Sequence, residues 1–144
     1  GFEAQLSTNL QLALFMPLVA AMGGNAGVQS SSIIVQGLAN DSLDTKNLYP
    51  RLAKEFSVAL INGLICSGLL LAYSIIVGNP LDLARVVSIA LLSVIIFASI
   101  LGTLIPLILD RFKIDPALAT GPFITTTNDL VGLFLYFTIA QWLL

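Results

Sequence analysis

Residues 122–144 read PFITTTNDLVGLFLYFTIAQWLL. Apart from Asp129 the stretch carries no charge, and it is long enough to cross a bilayer as a helix, which takes about 20 residues. Its apolar residues run on without alternation, so it reads as a helix rather than a barrel strand. The aspartate in its first half needs a reason. A charged aspartate at the bilayer centre costs on the order of 3 kcal/mol even on a lenient insertion scale.

Three further stretches have the same character, so the chain is expected to be all-α and membrane-embedded. The four spans fall at roughly 9–38, 52–77, 83–109 and 117–144. Composition agrees: 57% of the residues are hydrophobic and 10% are charged. A soluble domain of this length has too little interior to hide so much apolar surface, so the excess must face hydrocarbon. A net charge of -2 argues against nucleic acid as a partner and leaves membrane lipid as the surrounding medium. There is no histidine, which removes the commonest general base and the usual transition-metal ligand. The single cysteine, Cys66, lies in an apolar run and reads as a packed small hydrophobe.

The connections are marked by polar and turn-forming residues. Asn40-Asp41-Ser42 opens a loop, and Asn40 or Asn47 is placed to cap a helix end. Gly78-Asn79-Pro80 reads as a tight turn, and Asp115-Pro116 as an N-cap followed by proline at the first helical position. Lys46, Arg51 and Lys54 follow the first span, and Arg111 and Lys113 follow the third; Arg85 alone sits by the middle turn. The positive-inside bias puts those two loops in the cytoplasm and both termini outside. With no signal-peptide pattern at the start, this orientation implies at least one span upstream of Gly1.

Two spans carry polar faces. In 22-MGGNAGVQSSSIIVQG-37, Asn25, Gln29, Ser32 and Gln36 share one helical face, and Gly23 and Gly27 form a pair that admits a close helix neighbour. In the last span Gly121, Thr125 and Asp129 recur every four residues, with Asn128 beside them and Gly132 continuing the line. The other seven acids lie in loops, in the N-terminal approach or at membrane edges, and no lysine or arginine lies deep within a span to pair with Asp129. Asp129 is therefore either protonated and hydrogen-bonded, gluing two helices, or partnered by a cation from solution. A carboxylate among amide, hydroxyl and carbonyl oxygens suits Mg²⁺, Ca²⁺, Mn²⁺ or Na⁺. One carboxylate per chain is too few to cage a dehydrated divalent ion. A hydrated Mg²⁺ could be held through its water shell, the more so if two chains meet around an axis.

The run 17-PLVAAMGGNAGVQSSSIIVQGLA-39 resembles the motif helix of the MgtE family of magnesium transporters, a proline followed by GGNxGxQ. The likeness continues at 54-KE-55 and at 115-DPALATGPFITTTNDLVGLFLYF-137, and 2-FEAQL-6 is similar to the approach to that helix. The resemblance implies a homodimer with five membrane helices per subunit, of which this chain supplies the second to fifth. It implies that Mg²⁺ is the transported ion, held hydrated by Asp129, with Gly24, Asn25, Gln29, Gly121, Thr125 and Asn128 lining the path. Asp115 is a candidate for the cytoplasmic mouth, although its simplest role is a helix cap. A cytoplasmic CBS-type regulatory domain and the first membrane helix would lie outside the chain. Gly121 and Thr125 depart from the family's commoner asparagine and alanine, which leaves Mn²⁺ or Co²⁺ permeation open.

The functional expectation is a channel-like magnesium pore in the cell membrane. Its rivals are a sodium- or proton-coupled transporter using Asp129 for the coupling ion, and a scaffold whose polar stripes are packing seams. No nucleophile–base pair for hydrolysis and no P-loop occurs, so the chain is not expected to be an enzyme. Glu55 is expected to pair with Lys54, Pro106 to kink its span, Trp142 to anchor at an interface, and Tyr136 to pack.

Overall fold

The computed structural model of the chain describes residues 10–43 and 47–144. The expectations attached to 2-FEAQL-6 and to Lys46 lie outside the described residues. Four helices, each long and apolar enough to cross a membrane, make up the fold, with no strand among the described residues. They are α1 (Leu10–Ala39), α2 (Tyr49–Ile76), α3 (Leu81–Arg111) and α4 (Pro122–Leu143), with a 3₁₀ turn (Pro116–Ala119) ahead of the last.

The helix ends follow from local chemistry. Proline sits in the first turn of α2 and of α4, where its missing N–H costs nothing. Leu48 precedes α2 without a side-chain cap, so Asn47 does not serve as one and α2 starts at Tyr49. The first three helices stop in the same way, through a left-handed residue whose neighbours close back on the last carbonyls. At α2 this is Gly78 (φ +88°), with Gly78 N–H donating to Ile75 O and Asn79 N–H to Ser74 O, both at 3.0 Å. At α1 and α3 the positions are held by Asp41 (φ +50°) and Lys113 (φ +57°), with the same pair of bonds to Leu38 and Gly37 and to Asp110 and Leu109.

The expected last span from 117 is two elements rather than one. Asp115 does act as a cap, its Oδ1 accepting from Ala117 N–H at 2.9 Å, but it caps the 3₁₀ turn. Gly121 (φ +61°, ψ -132°) then reverses the backbone, and α4 begins only at Pro122. Pro122 is the first residue of that helix.

The centre of the bundle is α3. The other three helices lie against it, and α1 also packs along α4, whereas α2 rests chiefly on α3. The core is accordingly built from α3 residues such as Val87, Ala90, Leu91, Val94 and Ile95, meeting Leu12 and Val19 of α1 and Phe137 and Ala140 of α4. Glycines bring the axes close. A Cβ on Gly23 would lie 2.7 Å from Val94 Cγ1, and one on Gly132 3.1 Å from the same atom, so Val94 wedges between α1 and α4. A Cβ on Gly102 would strike the backbone of Gly27, so α1 and α3 touch main chain to main chain there.

One buried polar contact ties two helices and another lies within α2. Tyr136 is fully buried and its hydroxyl donates to Leu12 O at 2.8 Å, next to the Ala13 carbonyl that Pro17 leaves without a helical donor. Glu55, 7% exposed, pairs with Arg51 one turn back at 3.0 Å, not with the adjacent Lys54. Successive helical residues point about 100° apart, so Lys54 faces elsewhere. Trp142 is exposed, as an interfacial anchor would be.

Candidate ion site on the flank of α1 and α4

The site is assembled from the start of α4 and the middle of α1. Gly121 O accepts from both Thr125 N–H and Thr125 Oγ1, each at 3.1 Å, which locks the first turn of α4. Asp129 follows one turn later, half-buried. Across from it stands Gly24 of α1: a Cβ there would lie 3.5 Å from both Asp129 Oδ1 and Thr125 Cγ2. Gly24, Thr125 and Asp129 therefore meet, and the carboxylate lies against bare α1 main chain. The Thr125 methyl shares that face with the carboxylate, its hydroxyl being turned back to Gly121 O.

No basic side chain among the described residues pairs with Asp129. The ion pairs among the described residues are Arg51–Glu55 and Arg85–Asp82, both near helix ends. Nor do three carboxylate, thiol or imidazole groups converge anywhere among the described residues. The donor set thus fits a cation that keeps its water, and not one stripped and caged by protein ligands.

The remaining predicted residues divide into three groups. Asn25, Gln29 and Gln36 are exposed and Ser32 half-buried, so the α1 stripe forms one open flank, about a third of a turn around from Gly24. Asn25 borders the Asp129 patch in sequence, whereas Gln29 looks into a crevice between α1 and α2 lined by Val58, Ile61, Asn62 and Ile65. Gln29 is therefore not brought together with Asp129. Gly121 is the backbone break that sets the start of α4. Asn128 is 2% exposed and is withdrawn from the open flank into the seam of α1 and α3, against Gly27.

Asp115 is exposed and borders a crevice with Val35, Leu38, Ala39 and Asp110 at the ends of α1 and α3. Ser31 Oγ donates to Ala119 O and fastens the 3₁₀ turn to α1. Gly24 to Val35 is eleven helical steps, roughly 16 Å along the axis, so Asp115 and Asp129 stand at separate levels.

Sequence reasoning missed the Tyr136–Leu12 bond, for which no spacing rule exists, and the burial of Asn128. The Arg51–Glu55 pair was legible in its four-residue spacing.

Comparison with known proteins places these residues in context. The family model for MgtE, described as a divalent cation transporter, matches residues 16–139. The chain is 41% identical over 140 residues, 96% of its length, to the magnesium transporter MgtE of Bacillus subtilis (strain 168), covering 31% of that protein. It is 37% identical over 144 residues, 100% of its length, to the magnesium transporter MgtE of Thermus thermophilus, covering 32% of it. Against the magnesium transporter MgtE of Enterococcus faecalis it is 35% identical, covering 98% of this chain and 31% of that protein. The chain spans about a third of the length of these relatives.

Proposed function

This chain belongs to the MgtE family of divalent cation transporters, and from that premise we propose that it forms the ion-conducting membrane part of a magnesium transporter. Hydrated Mg²⁺ travels along the shared flank of α1 and α4 and pauses at Asp129. The carrying observation is the Asp129 carboxylate set against Gly24 and Thr125, with no basic side chain paired to it among the described residues. A cation from solution offsets its charge. Because Mg²⁺ gives up water reluctantly, a site with few direct ligands holds it through its shell. Mn²⁺ and Co²⁺ are secondary cargoes of the same oxygen chemistry.

The working unit is a homodimer. An open flank of Asn25, Gln29, Gln36 and Asp129 facing hydrocarbon would leave amides and a carboxylate unsatisfied. A second copy facing that flank encloses a wet path and doubles its carboxylates. The loops after α1 and α3 face the cytoplasm, by their basic residues, and Asp115 draws cations to that mouth. An upstream membrane helix and a cytoplasmic CBS-type domain complete the transporter, and the chain performs no covalent chemistry.

The test is Mg²⁺ flux into liposomes. Asp129→Asn removes most divalent permeation, Asp115→Asn only reduces it, and neither proton nor sodium gradients drive the ion. Equal residual flux in the two variants overturns the assignment, and obligatory coupling supports a cation-coupled transporter instead.

A further inference from the structure

The most unusual side chain in the bundle is Asn128. It is 2% exposed, and neither its Nδ2 nor its Oδ1 has a hydrogen-bond partner among the described residues. A carboxamide carries two donors and an acceptor oxygen, and leaving them unmet in a buried seam is unfavourable. A leucine of similar shape would fill the same space without that penalty. The amide occupies a notch that exists only because residue 27 is glycine: a Cβ there would overlap Asn128 Nδ2 and approach its Cγ to 2.8 Å. The same spot lies 3.3 Å from Ala98 O of α3. One turn further along α3 is Gly102, the residue that touches Gly27, and its carbonyl lacks a helical donor because position 106 is a buried proline. The Ala98 carbonyl of α3 therefore borders the notch that holds the amide.

We propose that Asn128 is a positioning residue for the Asp129 carboxylate, seated in the Gly27 notch and tied to the α3 carbonyl of Ala98 through internal water. Seating it fixes both the rotation and the rise of α4 against α1. Asp129, the next residue, is thereby held over Gly24 and Thr125. The consequence is specificity. Hydrated Mg²⁺ presents a rigid octahedron of waters and so rewards a carboxylate fixed where those waters point, whereas the irregular shell of Ca²⁺ tolerates a mobile one. This inference rests on the reading of Asp129 as the ion site.

The experiment compares Mg²⁺ and Ca²⁺ flux in liposomes for the parent protein, Asn128→Leu and Asn128→Ser, alongside thermal unfolding. Asn128→Leu keeps the shape that fills the notch, and thermal unfolding reports whether the variant folds. It is expected to lower the Mg²⁺-to-Ca²⁺ flux ratio about tenfold, the lower end of what losing an outer partner of a metal ligand costs. Asn128→Ser, which keeps a hydroxyl in the notch, gives a smaller loss and serves as the sole readout if the leucine variant does not fold. A ratio within twofold of the parent in the folded variants overturns the proposal. A parent whose flux does not depend on Asp129 overturns the ion-site reading itself, which separates the two failures.

Discussion

Gly102→Ala puts one methyl group where α1 and α3 meet, and its effect follows from what the methyl strikes. In a helix interior the change alone gains about 1 kcal/mol, because alanine surpasses glycine in propensity. The added Cβ, however, falls on the main chain of Gly27, with its Cα only 3.1 Å away and its carbonyl oxygen closer still. Backbone cannot swing aside as a side-chain end can, so the axes must separate, and the layer of Val94, Ala98 and Asn128 beside them loses its fit. Overpacking of this kind costs typically 1–3 kcal/mol and more in rigid surroundings. Taking the upper figure against the propensity gain leaves a net loss of about 2 kcal/mol. Gly68 in α2 is the control, since a Cβ there meets nothing within 4 Å. Gly68→Ala should therefore stabilise the protein by about 0.5–1 kcal/mol through propensity alone. Equilibrium unfolding in mixed detergent, followed by loss of tertiary signal, should move the two midpoints in opposite directions. A Gly102→Ala protein at least as stable as Gly68→Ala would refute the claim of main-chain contact.

Three further outcomes follow from named contacts. Tyr136→Phe keeps the ring and deletes the bond to Leu12 O, and is expected to cost about 1 kcal/mol in the same unfolding assay; an unchanged midpoint would show that the hydroxyl contributes nothing there. Gly121→Ala meets no neighbour but forces a side chain into a conformation essentially reserved for glycine, so a loss of about 1–3 kcal/mol is expected without any steric clash; a neutral result would contradict the reversal before α4. Arg51→Met strands the buried Glu55 carboxylate and should destabilise by about 1–3 kcal/mol, while adding Glu55→Leu should recover most of that loss. A double variant no better than the single one would mean the pair is only a surface contact.

The four spans were legible because hydropathy and length decide them: outside the polar faces of α1 and α4, each helix interior is apolar through its full circumference. That same feature hid the packing. Leu12 is fully buried and Leu14 largely exposed, yet in a membrane both belong in apolar surroundings, so no amphipathic period separates core from lipid face. Small residues were the better guide, and Gly23 and Gly27 do mark the seam with α3, although Gly102 passed unnoticed as its counterpart. The start of α4 was misjudged by five residues. Asp115-Pro116 is a genuine start signal, but it opens a 3₁₀ turn that Gly121 ends. At the site, Asp129 stood out by charge alone. Its neighbour Asn128 was grouped with it because both are polar, and only the Gly27 notch shows that Asn128 turns into the seam with α3 while Asp129 lies against Gly24. The α1 stripe held together as one exposed flank, but its angular offset from Gly24 is invisible until α1 and α4 are docked.

The proposed ion path depends on a carboxylate in the membrane whose counter-charge is a hydrated ion. The direct measurement is an experimental density map of the protein in lipid, collected with and without Mg²⁺ for the parent and for Asp129→Asn. In the parent with Mg²⁺, density for an ion and its water shell should stand beside Asp129, with the metal roughly 4 Å from the carboxylate oxygens, as a bridging water requires. It should vanish when Mg²⁺ is withheld and in the asparagine variant. Identical maps in all four cases, with Asp129 hydrogen-bonded to a neighbouring helix, would make the acid a structural clasp and contradict the proposed ion path.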